Sequence, residues 1–214
     1  MANEIQKLYF YLRKKHGRPS GQWKLWCSRK KTRTGREEIV IGAILTQNTN
    51  WRNVEKAILN LKRNNACSLN KILKLGKNKI SSLQEMIRPA GFFNSKANYL
   101  VEVSNFFAGH GGLAKLMKSN LPVLREQLLA QKGIGPETAD SILNYALDKE
   151  VFVIDKYTQR IALAKKLTRK LEYERLQKFF IERIKNDFRL YQDFHALIVI
   201  ENKFSKQRNA KSKS

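Results

Sequence analysis

The residues of this chain best placed to do chemistry lie between Asn120 and Asp155. Gln131-Lys132-Gly133-Ile134-Gly135-Pro136-Glu137-Thr138-Ala139-Asp140 reads as a tight glycine turn opening a helix, and Val151-Phe152-Val153-Ile154-Asp155 as an apolar run ending in a lone carboxylate. Gly133 and Gly135 let the backbone turn sharply and approach a partner closely. Pro136 starts a helix without losing a hydrogen bond. The N–H groups at that start favour an anion such as phosphate. The apolar run implies a buried approach to Asp155, which raises the electrostatic worth of its charge. Together these parts read as a device that grips one DNA phosphate and delivers one acid to the deoxyribose beside it. An ordinary packed hairpin, with Asp155 capping the next helix, fits the same letters.

Helices must position both parts. Leu121, Leu124, Leu128 and Leu129 share a stripe behind the candidate N-cap Asn120 and Pro122, and Ala139, Ile142, Leu143, Ala146 and Leu147 form a second. The short Lys132–Gly135 connection leaves room only for a hairpin of helices. Periodicity is helical almost throughout, so the fold class expected is all-α. Ile5, Leu8, Tyr9 and Leu12 begin the series. Helices are then expected at Glu38–Gln47, Trp51–Leu61, Leu69–Leu75, Ile80–Ile87 and Ser95–Phe107, the last capped by Ser95. After Asp155 they are expected at Lys156–Leu167, Glu172–Ile184 and Tyr191–Phe204. Residues 15–36, polar and basic with four interrupting Gly and Pro positions, read as a long loop holding Trp23 and Trp26.

Composition favours the DNA reading. Lys plus Arg number 42 against 18 acidic residues, a formal charge of +24 in 214 residues. Such an excess favours a polyanionic partner bound in a steeply salt-dependent way. Basic residues crowd 29–36, 62–80 and 165–185, as well as 203–214, which reads as a solvated tail. At 42% hydrophobic the chain can bury a core in one or two small domains. It shows no apolar run of about 18 residues and no signal-peptide pattern at Met1-Ala2-Asn3-Glu4. Cys27 and Cys67 give neither a disulfide framework nor metal-ligand spacing. A reduced, soluble, cytoplasmic and nucleoid-associated protein is expected. His16, His110 and His195 stand apart in sequence, and each is assigned a structural or solvated role.

The hairpin with Asp155 resembles that of the helix-hairpin-helix DNA glycosylases of the endonuclease III superfamily. Three further stretches are similar to that family, in the family's order. Gly42-Ala43-Ile44-Leu45-Thr46-Gln47-Asn48-Thr49-Asn50-Trp51 looks like its early helix and DNA-facing loop. Pro89-Ala90-Gly91-Phe92-Phe93-Asn94-Ser95-Lys96-Ala97 looks like its minor-groove wedge loop, and Phe194-His195-Ala196-Leu197-Ile198-Val199 like its last helix. The likeness spans roughly residues 38–204.

The resemblance implies two helical domains with the DNA cleft between them and a helix-hairpin-helix motif at 121–148. One domain would be a helical barrel at 38–155, the other 1–37 plus 156–214 with the basic tail. It implies a base-excision enzyme that bends DNA, unstacks one damaged nucleotide and rotates it into a pocket. Gln47 and Phe92 would fill the vacated space, as unstacking must be repaid by new stacking. Gly133, Gly135 and Glu137 would meet the phosphate. Asp155 would stand near C1′, stabilising oxocarbenium character and orienting or deprotonating the attacking water. By analogy a monovalent cation would rest on the backbone carbonyls of Leu129, Gln131 and Ile134, with no metal held by side chains.

The departures narrow the chemistry. Bifunctional members carry a lysine in the second hairpin helix, which forms a Schiff base and then cuts the strand. The matching residue here is Glu137, which cannot form an imine, so a monofunctional hydrolase is expected; Lys132 and Lys156 lie nearest for any lyase. Many relatives end in a four-cysteine iron–sulfur loop. Glu201-Asn202-Lys203-Phe204-Ser205 leads to no cysteine, so no cluster is expected. These departures, with the pair Trp23 and Trp26, resemble the 3-methyladenine DNA glycosylase III branch. Trp23, Trp26, Phe93 and Trp51 would then hold a cationic alkylated purine, although core packing is open to each of them. The basic insertion Cys27–Arg36 departs from that branch. Uracil or mismatched-thymine removal, and oxidised-pyrimidine removal with strand cleavage, stay open within the fold. A non-catalytic DNA-binding hairpin protein stays open outside it. The expected partner is damaged double-stranded DNA, with no membrane, and the expected state is a monomer.

Overall fold

The computed structural model describes residues 2–211, with side chains through Phe204. Its helices are α1 Glu4–His16, α2 Trp23–Trp26, α3 Arg33–Leu45, α4 Trp51–Arg63, α5 Leu69–Asn78, α6 Ile80–Ile87, α7 Phe93–Gly109, α8 Leu113–Leu116, α9 Leu121–Leu129, α10 Pro136–Ser141, α11 Lys156–Ala164, α12 Tyr173–Ile181 and α13 Phe188–Lys211. A 3-10 turn, Arg88–Ala90, precedes α7, and a π-turn, Ile142–Ala146, prolongs α10. The described residues contain no strand.

Three local expectations are corrected. Residues 15–36 are not one loop: α2 occupies Trp23–Trp26, and α3 starts at Arg33 rather than Glu38. Thr32 is the unrecognised signal, its hydroxyl accepting the Gly35 N–H at 3.1 Å. Helix α7 begins at Phe93, so Ser95 is not its cap; the preceding Phe92 sits in the left-handed region at φ +46°. The supposed tail is helical to Lys211, while its side chains from Ser205 on and residues 212–214 lie outside the described residues.

The chain divides into two compact units, Lys30–Lys149 and Met1–Arg29 with Glu150–Ser214. The family pattern put these boundaries at 37/38 and 155/156. On this division residues 30–36 of the insertion join the hairpin's unit, while residues 27–29 and Asp155 belong to the other. The reason for the first shift is ionic. Asp148 accepts Lys31 Nζ at 3.0 Å and Arg36 at 2.6 Å, and Arg36 also donates to the Ala146 carbonyl at 2.6 Å. Residues 31–36 are thereby tied to the end of the hairpin's second helix.

In the Lys30–Lys149 unit, Ile39, Val40, Ile41, Ile44 and Leu45 of α3 are fully buried. Helices α5 and α7 pack so closely at Gly76 that a Cβ there would meet Val101 Cγ2 at 2.3 Å. In the other unit, Ile5, Leu8 and Leu12 of α1 join Leu176 and Phe180 of α12 and Phe194, Leu197 and Ile198 of α13 around Phe152. The Phe152 ring stacks on Phe180 at 4.9 Å and meets Phe194 edge-on at 5.6 Å. Val151 to Asp155 lies outside any helix or strand and is buried throughout. Lacking a sheet, its backbone is satisfied by side chains: Gln177 donates to the Phe152 carbonyl at 2.7 Å and the Tyr173 hydroxyl accepts from Ile154 at 3.3 Å.

Candidate active site

Asp155 ends that buried run and caps α11. Its Oδ1 accepts the N–H of Tyr157 at 2.9 Å, the N–H of Thr158 at 2.7 Å and the Thr158 hydroxyl at 3.0 Å. Oδ2 points elsewhere, to within 3.5 Å of His195 Nε2. Burial by itself would raise the Asp155 carboxyl, but the His195 imidazole, with the Thr158 amide and hydroxyl, outweighs it and holds the group below the ordinary carboxylate range. The start of a helix favours the same charge. N-capping and a chemical role are therefore compatible: one oxygen is fixed, and the other faces an imidazole.

His195 was expected on sequence to be structural or solvated, and the structure makes it buried rather than solvated. It is buried in α13, beside the carboxylate, with the Trp23 ring edge-on to it at 5.7 Å. The other two histidines do serve structure: His16 pairs with Glu201 at 2.5 Å, and His110 Nδ1 meets the Phe106 carbonyl at 2.8 Å. The available signal for His195 was a polar residue inside the apolar run Phe194–Val199.

Trp23 and Trp26 are each 7% exposed and meet edge to face at 6.0 Å. They belong to the unit that holds Asp155 and His195, whereas Phe93 and Trp51 belong to the other. Phe93 is half-buried under the Arg88 guanidinium, 4.9 Å from its ring centre, and Trp51 is half-buried at the start of α4.

The hairpin forms as its letters require. Asn120 caps α9 through the Val123 N–H, and α10 starts at Pro136. Gly133, Gly135 and Glu137 are all exposed. The two glycines do different things. Gly133 has φ +80°, and a Cβ there would lie 2.4 Å from the Tyr99 ring, so the turn needs both the freedom and the missing side chain. Gly135 has φ −90°, which any residue adopts, and a Cβ there would meet open space. What Gly135 provides is a bare outward face next to the start of α10. The two hairpin helices are clamped by a pair that sequence reading missed: Arg125 Nε meets Oδ1 of the fully buried Asp140 at 2.7 Å, and its second nitrogen meets Oδ2 at 3.2 Å.

The two candidate DNA-filling residues differ. Phe92 is 69% exposed at the tip of its loop. Gln47 braces the hairpin, its Nε2 donating to the Gly133 carbonyl at 2.9 Å and to the Thr138 hydroxyl at 3.0 Å. At the candidate cation position, the Gln131 carbonyl accepts the Ile134 N–H at 3.1 Å. Among the described residues no group of three or more His, Cys, Asp or Glu could hold a metal ion.

The chain matches the family described as HhH-GPD superfamily base excision DNA repair protein over residues 41–186. It is 46% identical over 169 residues, 77% of this chain and 75% of the relative, to a Methanocaldococcus jannaschii protein named "Putative DNA repair glycosylase MJ1434". The solved Helicobacter pylori 3-methyladenine DNA glycosylase, bound to 1,N6-ethenoadenine, superposes with a TM-score of 0.73 at 33% identity, covering 95% of this chain and 96% of that one. A trapped endonuclease III–DNA covalent intermediate shares the fold, with a TM-score of 0.69 at 14% identity over 93% of this chain and 85% of that one. The chain belongs to the HhH-GPD superfamily of base excision DNA repair proteins.

Proposed function

We propose that this DNA repair glycosylase is monofunctional, rotating a damaged nucleotide out of duplex DNA and hydrolysing its N-glycosidic bond, with an alkylated purine such as 3-methyladenine the favoured base. The observation that carries the reading is the buried Asp155, with one oxygen fixed by α11 and the other facing His195. As the glycosidic bond breaks, its electron pair leaves with the base and positive charge grows on the sugar. A carboxylate in a dry site stabilises that charge strongly. The same group orients water onto C1′ and accepts its proton. Exposed amides at Gly133, Gly135 and Glu137 would hold a backbone phosphate, and Phe92 with Gln47 would fill the space left in the duplex.

Water rather than an amine is the proposed nucleophile, because Glu137 stands where lyase members of the family carry lysine. Trp23, beside His195, is the aromatic best associated with Asp155 in its own unit, and an electron-poor alkylated purine stacks well on indole. The solved relative at 33% identity, bound to 1,N6-ethenoadenine, supports an alkylated adenine. No resident iron–sulfur cluster is proposed: this sequence supplies two cysteines, and a cluster takes about four thiolates.

The test is a panel of duplexes carrying 3-methyladenine, 1,N6-ethenoadenine, hypoxanthine, uracil, a T·G mismatch or thymine glycol, with products read before and after alkali and with borohydride present. The expected result is fastest release of 3-methyladenine, strand scission only after alkali, and no trapped adduct. A borohydride-trapped adduct, or preference for uracil, T·G or thymine glycol, would overturn the proposal.

A further inference from the structure

Lys96 is fully buried near the start of α7, where an apolar residue would be the ordinary choice. Its Nζ donates to two carbonyls, Leu45 and Ala90, each at 2.8 Å. Leu45 ends α3 and lies two residues before Gln47; Ala90 ends the 3-10 turn and lies two residues before Phe92. The Lys96 backbone N–H also bonds to the Phe92 carbonyl at 2.9 Å. Both carbonyls belong to the last turn of a helical segment, where the partial charge is negative and a cation is favoured. One amine thus spans the roots of both loops proposed to enter the duplex. All of these residues belong to the Lys30–Lys149 unit.

We infer that Lys96 is a positioning residue that sets the spacing between the Gln47 loop and the Phe92 loop, so that the two enter DNA as one rigid wedge. The inference rests on the proposed wedge role of Phe92. An exposed aromatic in a left-handed conformation cannot hold its own direction against the resistance of stacked bases. Leu45 and Ala90 have no covalent route to each other shorter than the intervening helices, so the amine is the direct brace. Its burial also fits the role: desolvation pushes the Lys96 pKa down to about 8, a cost the fold accepts at this position.

The test needs no knowledge of the natural substrate. A duplex carrying a tetrahydrofuran abasic analogue, with 2-aminopurine as the adjacent base, brightens when that base is unstacked. The rate and extent of brightening at saturating protein, and Kd, are measured for the full chain, for Phe92→Ala, for Lys96→Met and for Lys96→Gln, which keeps a polar group should Lys96→Met not fold. Circular dichroism establishes which variants are folded. Phe92→Ala should lose the brightening. The folded Lys96 variants should slow the unstacking step by about tenfold or more, because small misplacements of a working group are costly, while Kd changes by less than about threefold. If Phe92→Ala loses brightening and the folded Lys96 variants match the parent, the Lys96 inference is overturned and the wedge reading stands. If Phe92→Ala itself brightens like the parent, the wedge reading is overturned and the Lys96 inference with it.

Discussion

His195 Nε2 stands 3.5 Å from Oδ2 of Asp155, and the other carboxylate oxygen is fully occupied by α11. The imidazole is therefore the group that faces Oδ2, with Trp23 edge-on to the imidazole. At this distance the interaction is mainly electrostatic rather than a tight hydrogen bond. Removing it leaves burial, which disfavours the charge, opposed by the Tyr157 and Thr158 donors at the start of α11.

His195→Gln should accordingly raise the Asp155 pKa. The sign follows from linkage: a carboxylate depressed in the native state stabilises the fold above its ordinary pKa, and that stability is lost as pH falls through the depressed value. In the variant that contribution is smaller, and its loss is complete at a higher pH. The acid limb of the base-release rate should move the same way, with kcat reduced more than KM. Single-turnover pH profiles of parent and variant check this, and coincident acid limbs would show that the imidazole does not govern the carboxylate.

The glycines of the hairpin make a second, separable pair. Gly133→Ala should destabilise the fold by roughly 1–3 kcal/mol, since it adds positive-φ strain to a clash with Tyr99. Gly135→Ala should leave stability within about 0.5 kcal/mol and act on DNA binding instead, through its outward face. Urea melts and Kd for a duplex distinguish them. Equal effects of the two substitutions on stability would refute the division of labour.

Much of this was legible in the sequence. Leucine spacing placed α9, Asn120 gave its cap, and the turn letters gave the hairpin, because helix periodicity and capping are local. The Val151–Asp155 run announced burial for the same reason. What escaped were contacts made across the fold. Arg125 with Asp140, Gln47 with Gly133, Lys96 with Leu45 and Ala90, and His195 with Asp155 join residues whose spacing carries no period. Gly135 was read as needed both for the sharp turn and for close approach of a partner; its backbone is ordinary, so only its bare exposed face sets it apart.

The basic insertion supplies a third expectation. Its charge suggested DNA contact, yet Lys31, with a side chain 2% exposed, and Arg36 both pair with Asp148, while Arg29 pairs with Asp193 at 2.6 Å and Arg33 with Glu37 at 3.0 Å. Asp148→Ala leaves two cations facing each other and should cost about 3 kcal/mol, as removing one partner of a largely buried pair does. The slope of log Kd against log salt for duplex DNA should stay unchanged for Lys31→Met, because that amine neutralises Asp148 rather than a phosphate. A slope reduced by about one would show that Lys31 reaches DNA.

The central claim is that the Asp155 charge drives base release. It is tested most directly by comparing Asp155→Asn with the parent on one damaged duplex, measuring single-turnover base release and Kd on the same preparation. The amide can still cap α11, so folding should persist. The expected result is base release slowed by at least about a hundredfold, as for loss of one electrostatic stabiliser of a transition state, with Kd changed little. Base release at the parental rate by a folded Asp155→Asn would contradict the claim.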